Sequence, residues 1–286
     1  MEGRDMTNIK VTGKDGAVIS ATLCNFDNDN IKGAVIVCHG FGEHTGLFLG
    51  LAERLGEGGY ACVLFDQRGH GKPPDGRKKW FGVIVDYQCF LDDVASVTDA
   101  VRPMLQDVPI ALYGHSMGGN IVINALLKND PTGYKCAILD APWLQLYKKH
   151  SPLLVAFSKL AGRISPTITT VNKLKPEVLT SDPEMAGQYV NDPLYHGQIS
   201  FRMYNGINNG CAYALDNASR LTIPVFISYA AHDKVLCNDA ILSFAAEAGD
   251  MVTIKEYDSR HAIRNDISRD EFYRDVIAYL DKTIVK

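Results

Sequence analysis

LYGHSMGGN, residues 112–120, ends an apolar run with a serine that has a glycine two positions away on each side. A serine followed by two glycines suits neither a strand nor the first turn of a well-packed helix, so a local cost is being accepted here. With a strand over 110–113 and a helix over 120–129, Ser116 lies on the tight turn between them, where side chains at 114 and 118 would crowd the backbone. That is the G-x-S-x-G nucleophile elbow, which holds a serine oxygen exposed in a strained conformation. The bland alternative is an ordinary strand-to-helix turn.

Outward from this turn, apolar β-rich runs at 8–12, 17–26, 33–38, 60–65, 110–113, 136–139, 225–229 and 253–257 alternate with helical stretches at 45–57, 87–105, 120–129, 238–248 and 270–282. The alternation predicts an α/β fold, with a mostly parallel central sheet of about eight strands and helices on both faces. The first two strands have no helix between them and are expected to form a hairpin through TGKDG, an antiparallel edge. From 143 to 220 the rhythm stops, and short helical pieces are punctuated by Pro152, Pro166, Pro176, Pro183 and Pro193. This stretch reads as an inserted helical cap on a core made of residues 1–142 and 221–286. Within it LLVAFSKLAGRI (153–164) is apolar, with Lys148, Lys149, Lys159, Arg163, Lys173 and Lys175 nearby and Glu177 opposing them. The apolar face is expected to pack on the domain beneath. The functional alternative is a greasy wall over a site, touching a lipid surface as well.

Composition excludes several classes. The 286 residues can bury a large core, and a net charge of −4 with interspersed signs offers no general basic field for nucleic acid. MEGRDMTNIK lacks the apolar region of a signal peptide, and no apolar run approaches membrane-spanning length. The seven cysteines include no C-x-x-C pair, and Cys38, Cys62 and Cys136 lie in strand-like runs, as reduced core residues of a cytoplasmic protein would. HGFGEH lacks metal-ligand spacing, so neither a metal nor a cofactor is expected.

A serine hydroxyl needs a base, and the base an orienting carboxylate. Downstream of Ser116 the histidines are His150, His196, His232 and His261; the first two fall in the expected cap. His261 follows the last strand, and Asp233, beside His232, follows the strand before it. Both therefore come at strand C-terminal ends, the edge where open parallel sheets bind ligands. His261 is the expected base. Asp233 competes for the acid role with Asp140, which ends the strand CAILD and could instead be a turn carboxylate, while Asp258 is too near His261 in sequence to face it easily. The backbone N–H groups of Met117, at the start of the helix, and of Phe41, in HGFGEH, are the expected oxyanion donors.

Two rival readings come from other classes. Gly40 to Gly46 spell G-x-G-x-x-x-G after a strand, and Asp66 ends the next strand about 20 residues on, imitating a dinucleotide-binding unit. Two strands precede this one, however, and no Tyr-x-x-x-Lys pair occurs. The second rival is a non-catalytic ligand-binding protein on the same scaffold, which the intact Ser, Asp and His candidates argue against.

HGFGEH (39–44), FDQRGHGKPPDGR (65–77), GHSMGG (114–119), LTSDPEMAGQYVNDPLYHG (179–197), HDKV (232–235) and SRHAIRND (259–266) together resemble the monoglyceride lipase and lysophospholipase branch of the α/β-hydrolase fold, the serine hydrolases grouped as S33. The resemblance spans nearly the whole chain. It implies Ser116, Asp233 and His261 as a catalytic triad, Phe41 and Met117 as oxyanion donors, and 143–220 as the cap. It also implies that Asp66 and Arg68 help fix the active-site loops, against the plainer reading of a structural ion pair. Two positions depart from the family pattern: Ala262 replaces an acidic residue, and Lys72-Pro73-Pro74 replaces a serine after RGHG. The expected function is hydrolysis of monoacylglycerol- or lysophospholipid-like esters, with an apolar acyl chain, through an acyl-enzyme. The alternatives are a cinnamoyl or feruloyl esterase and an S33-type peptidase.

Overall fold

The computed structural model describes residues 6–26, 31–72, 78–105, 107–172 and 174–285. The first five residues of the polar start, Pro73, Pro74 and Lys173 lie outside the described residues. An eight-stranded sheet runs in the order β1 (Met6–Thr12), β2 (Val18–Cys24), β4 (Tyr60–Phe65), β3 (Gly33–Cys38), β5 (Ile110–His115), β6 (Cys136–Asp140), β9 (Val225–Ala230) and β10 (Val252–Tyr257). β7 (Thr169–Val171) and β8 (Gln198–Ser200) form a separate antiparallel pair. β1 and β2 make the expected hairpin, β2 joins β4 antiparallel, and every other pairing in the large sheet is parallel. Every residue of β3, β4, β5 and β6 is buried, as an unbroken apolar run requires when both faces are covered.

Alternation along β3 sends Ala34, Ile36 and Cys38 into one core and Val35 and Val37 into the other. The first core also takes the apolar faces of α2 (Gln88–Val101), α3 (Met117–Lys128) and α8 (Asn238–Ala248), and the second those of α1 (Leu49–Glu57) and α9 (Arg269–Ile284). Among the described residues no helix is long and apolar enough to cross a membrane.

Between β6 and β9 lie α4 (Pro152–Ile164), α5 (Pro176–Leu179), α6 (Pro183–Asn191) and α7 (Phe201–Asp216). Prolines open α4, α5 and α6, where a missing N–H costs nothing and the fixed φ suits a helix. α7 lies against the body of the molecule: Met203, Ile207, Cys211 and Ala214 join the main core.

The orientation of α4 corrects an expectation. Its large apolar residues do not all pack on the domain beneath; Leu153, Phe157, Leu160 and Ile164 are 56–84% exposed and form one outward stripe, of which Phe157 meets the Phe201 ring edge-on. The inner face is small, with Ser158, Ala161 and Gly162 buried. Close approach to α7 selects these residues, since a Cβ on Gly162 would lie 3.0 Å from Asn205 Nδ2 and 3.1 Å from Arg202 N. Polar bonds fix the contact: Arg202 Nε donates to Gly162 O at 3.0 Å and Asn205 Nδ2 to Ser158 O at 2.8 Å.

Candidate active site

Ser116 stands between β5 and α3 with φ +52° and ψ −113°, a conformation that costs a non-glycine residue about 1–3 kcal/mol. Surrounding backbone holds it there. The Ser116 N–H donates to Asp140 O at 2.9 Å, and Ser116 O accepts from the N–H groups of Trp143 at 2.9 Å and Asn120 at 3.1 Å. α3 begins at Met117, three residues before the helix start expected from the sequence. Both flanking glycines are there for contact: a Cβ on Gly118 would lie 2.0 Å from Cys38 O, and one on Gly114 2.5 Å from Gly118 O. Of the glycine pair that argued against helix by propensity, Gly118 lets α3 pack directly on β3, and a Cβ on Gly119 would lie 2.8 Å from Pro142 Cβ.

His261 follows β10 and Asp233 follows β9, at the same edge of the sheet as Ser116. The His261 imidazole Nδ1 lies 2.7 Å from Asp233 Oδ2, and both side chains are buried. The other carboxylate oxygen, Oδ1, accepts from the N–H groups of Val235 at 2.7 Å and Leu236 at 2.9 Å, so the acid is held on both oxygens. Burial opposes the imidazolium, yet Asp233, then Asp140 and Glu43, more than offset it and place the His261 pKa above the ordinary histidine value. The loop bearing His261 is clamped by Asp266, which accepts from Arg260 N at 2.6 Å and, across to the segment before α6, from Ser181 N at 2.9 Å.

The other sequence candidates have other partners, although one of them, His150, lines the same cavity as Ser116 and His261. Asp140 accepts from Tyr113 Oη at 2.7 Å and lies 2.9 Å from His115 Nδ1. Asp258 pairs with His232 at 2.8 Å. His150 meets Tyr204 edge-on, and His196 stacks between Phe81 and His70 with ring centroids 4.3 and 5.0 Å away. Ser116 and His261 both line one cavity of about 330 Å³, roofed by Leu154, Ser158 and Val171 and walled by Trp143, Leu179 and Tyr204. That size and apolar lining suit a small ligand with a hydrocarbon portion.

Gly40 and Phe41 line the same cavity, and Met117 adjoins Ser116 at the N-terminus of α3. Gly42 takes φ +75° and could not carry a side chain, because a Cβ there would meet His196 O at 2.0 Å.

Sequence reasoning missed the charged floor of this cavity. Glu43 Oε1 accepts from Arg264 Nη2 at 2.5 Å and from Tyr189 Oη at 3.2 Å, and Arg264, 1% exposed, lies 4.0 Å over the Phe48 ring. Burial works against the Glu43 charge, but Arg264, then His115 and His39, hold its pKa at about 2. Burial, with Arg264 adding to it, lowers the His115 pKa. His115 is inside the elbow motif and Glu43 inside HGFGEH, so both lie in stretches that the sequence marks, but nothing there announces Arg264 as the partner of Glu43.

Arg68 does not pair with Asp66, as the structural ion-pair reading supposed. It bridges Asp15 and Asp93, with Nε 2.6 Å from Asp93 Oδ2, and Asp66 instead accepts from Thr45 N at 2.8 Å. That bond ties the carboxylate of the dinucleotide reading to the turn after HGFGEH. Among the described residues no cluster of three His, Cys, Asp or Glu is disposed to hold a metal ion.

The family described as serine aminopeptidase, S33 matches residues 29–268. The chain belongs to this family. Monoglyceride lipase from Mus musculus is 30% identical over 237 residues, 81% of this chain and 76% of that protein. Phospholipase YtpA from Bacillus subtilis is 26% identical over 90% of this chain and 98% of its own length. In a longer abhydrolase domain-containing protein of Dictyostelium discoideum the match spans 26% of the length. The crystal structure of Paleococcus ferrophilus monoacylglycerol lipase superposes with a TM-score of 0.81 at 25% identity, covering 98% of this chain and 99% of that one. The chain thus has the α/β-hydrolase fold and falls in the monoglyceride lipase and lysophospholipase branch of the S33 serine hydrolases. It is a serine ester hydrolase.

Proposed function

We propose that this hydrolase cleaves monoacylglycerol- or lysophospholipid-like esters through an acyl-enzyme, with Ser116 as nucleophile, His261 as general base and acid, and Asp233 as the orienting carboxylate. One observation carries the assignment: the imidazole held by Asp233 at 2.7 Å opens on the same apolar cavity as the strained serine. Ser116 attacks the ester carbonyl while His261 takes its proton. The backbone N–H groups of Phe41 and Met117 receive the oxyanion, and His261 then protonates the departing alcohol. Water, activated by the same imidazole, releases the acyl group. Asp233 keeps the Nδ1 proton in place and stabilises the imidazolium that forms.

Residues 143–220 act as the cap, with α4, the end of α5 and the start of α7 lining the cavity and the rest of α7 seated on the core. The names of the mouse and Bacillus relatives support lipid esters as the substrate class. The outward stripe of α4, bordered by Lys148, Lys149, Lys159 and Arg163, supports transient contact with a lipid surface, where an apolar helical face with basic flanks gains from both burial and anionic headgroups. All seven cysteines are free, which fits a reducing, cytoplasmic setting.

The test is hydrolysis of monoacylglycerol, lysophosphatidylcholine, a feruloyl ester and an aminoacyl amide by the same preparation. Preference for either lipid ester supports the proposal. Preference for the feruloyl ester or the amide replaces it with an aromatic-acyl esterase or a peptidase.

A further inference from the structure

We propose that His39 is a positioning residue for the oxyanion donor: its imidazole, held as the Nδ1–H tautomer, sets the plane of the Gly40–Phe41 peptide and thereby the aim of the Phe41 N–H. The inference rests on the reading of Phe41 as an oxyanion donor.

His39 follows β3 directly and is 1% exposed. Its Nε2 lies 3.0 Å from the backbone nitrogen of Gln67 and its Nδ1 2.8 Å from Gly40 O. A backbone N–H can only donate and a carbonyl oxygen can only accept, so in the neutral ring Nε2 is bare and Nδ1 carries the proton; the Gln67 side-chain nitrogen, 3.3 Å from Nδ1, donates instead to His39 O. Burial lowers the His39 pKa against the opposing pull of Asp66 and Glu43, which keeps the ring neutral. The His70 ring, 5.1 Å away and also buried, adds no opposing charge in its neutral form.

Gly40 O and the Phe41 N–H belong to one planar peptide unit, and no described peptide bond is cis. In a trans peptide the two bonds point in opposite directions, so fixing the oxygen on the His39 side fixes the N–H on the other. Glu43 secures the neighbouring atoms: its Oε2 accepts from Gly40 N at 2.8 Å, and its own N–H donates to Gly40 O at 3.3 Å. Gly40 has no side chain to assist, since a Cβ there would lie 2.6 Å from Glu43 Oε2. Donors that are aimed before the reaction avoid reorganisation during it, and this is where an oxyanion hole gains its effect.

The experiment compares His39→Leu and His39→Asn with wild type on a soluble p-nitrophenyl ester and on a trifluoromethyl ketone inhibitor, whose hemiketal oxygen occupies the oxyanion position. Disorienting one donor should cost less than the ~10²- to 10³-fold loss that follows deletion of one, so His39→Leu is expected to lower kcat about 10- to 100-fold. KM should stay within about threefold and inhibitor affinity should fall by the same factor as kcat. The asparagine side-chain amide can donate from near the Nδ1 position, so His39→Asn should recover most of kcat. A purely structural histidine would lower thermal stability and leave kcat and the inhibitor alone, or would leave asparagine no better than leucine; either result overturns the proposal. If His39→Leu does not fold, long-range ¹H–¹⁵N correlation on the wild-type protein decides, with the Nδ1–H tautomer expected and the Nε2–H tautomer contradicting. Ser116→Ala separates the two levels. Activity retained by that variant would sink the parent reading, whereas an inactive Ser116→Ala beside a fully active His39→Leu would sink this inference alone.

Discussion

Asp233→Asn separates the two aspartates that the sequence left in competition. Asp233 Oδ1 already receives the Val235 and Leu236 N–H groups at 2.7 and 2.9 Å, so the asparagine oxygen is held there and its NH₂ takes the place of Oδ2. That NH₂ then faces His261 Nδ1 across 2.7 Å as a donor. The ring must accept at Nδ1 and carry its proton on Nε2, where the serine needs a base. In the serine protease where this swap leaves the geometry intact, kcat falls by about 10⁴, which corresponds to about 5.4 kcal/mol in the barrier. Stability should barely move, because two of the three hydrogen bonds survive and the third is worth about 1 kcal/mol. Asp140→Asn should do the opposite. Its carboxylate accepts from Tyr113 Oη at 2.7 Å and lies 2.9 Å from His115 and 3.7 Å from Arg264. Removing one charge from such a buried set costs about 3–5 kcal/mol, while hydrolysis by the folded variant stays within about tenfold of wild type. The assays are kcat on a p-nitrophenyl ester and thermal unfolding of both variants. An Asp233→Asn enzyme within tenfold of wild type, alongside a slow Asp140→Asn enzyme of normal stability, would refute the reasoning.

The pKa of His261 lies above 6.5 and the reaction needs its neutral form, so activity should fall with acid through a kcat/KM midpoint above pH 6.5; a midpoint below that value in the wild type contradicts the Asp233 pairing. The folded-state pKa values of His39, His70, His115 and His196 are lowered, so the unfolded chain takes up protons first on acidification. Thermal stability should therefore decline as pH falls below 6.5, and a Tm unchanged from pH 7 to 5 would show these rings to be accessible. Leu153→Ser with Phe157→Ser should slow hydrolysis of monoacylglycerol in vesicles at least about fivefold and leave a soluble short-chain ester unaffected, since both side chains face outward; equal losses on both substrates would place them in the acyl path.

The fold was legible because its strands are long, apolar and regularly interrupted, and because the order of Ser116, Asp233 and His261 along the chain follows the order of strand ends along the sheet. Legibility failed where a residue's role depends on what approaches it from elsewhere. Gly118 and Gly119 read as helix breakers, yet α3 runs through them, because Cys38 O leaves no room for a side chain on Gly118. The stripe at 153, 157, 160 and 164 was visible as a stripe, but periodicity carries no sign, and only the close contact of Ser158, Ala161 and Gly162 with α7 turns it outward. Arg68 has partners from β-strand hairpin and helix, Asp15 and Asp93, that nothing near it in sequence announces. The Glu43–Arg264 pair joins residues 221 positions apart, and a single sequence holds no trace of such a contact.

The most direct measurement is the site of covalent capture by a fluorophosphonate, read by mass spectrometry of the digested protein. With Ser116 as nucleophile, a single adduct is expected on the peptide carrying it, formed rapidly by the wild type and lost in Ser116→Ala. An adduct on any other residue, or labelling that persists in that variant, would contradict that role.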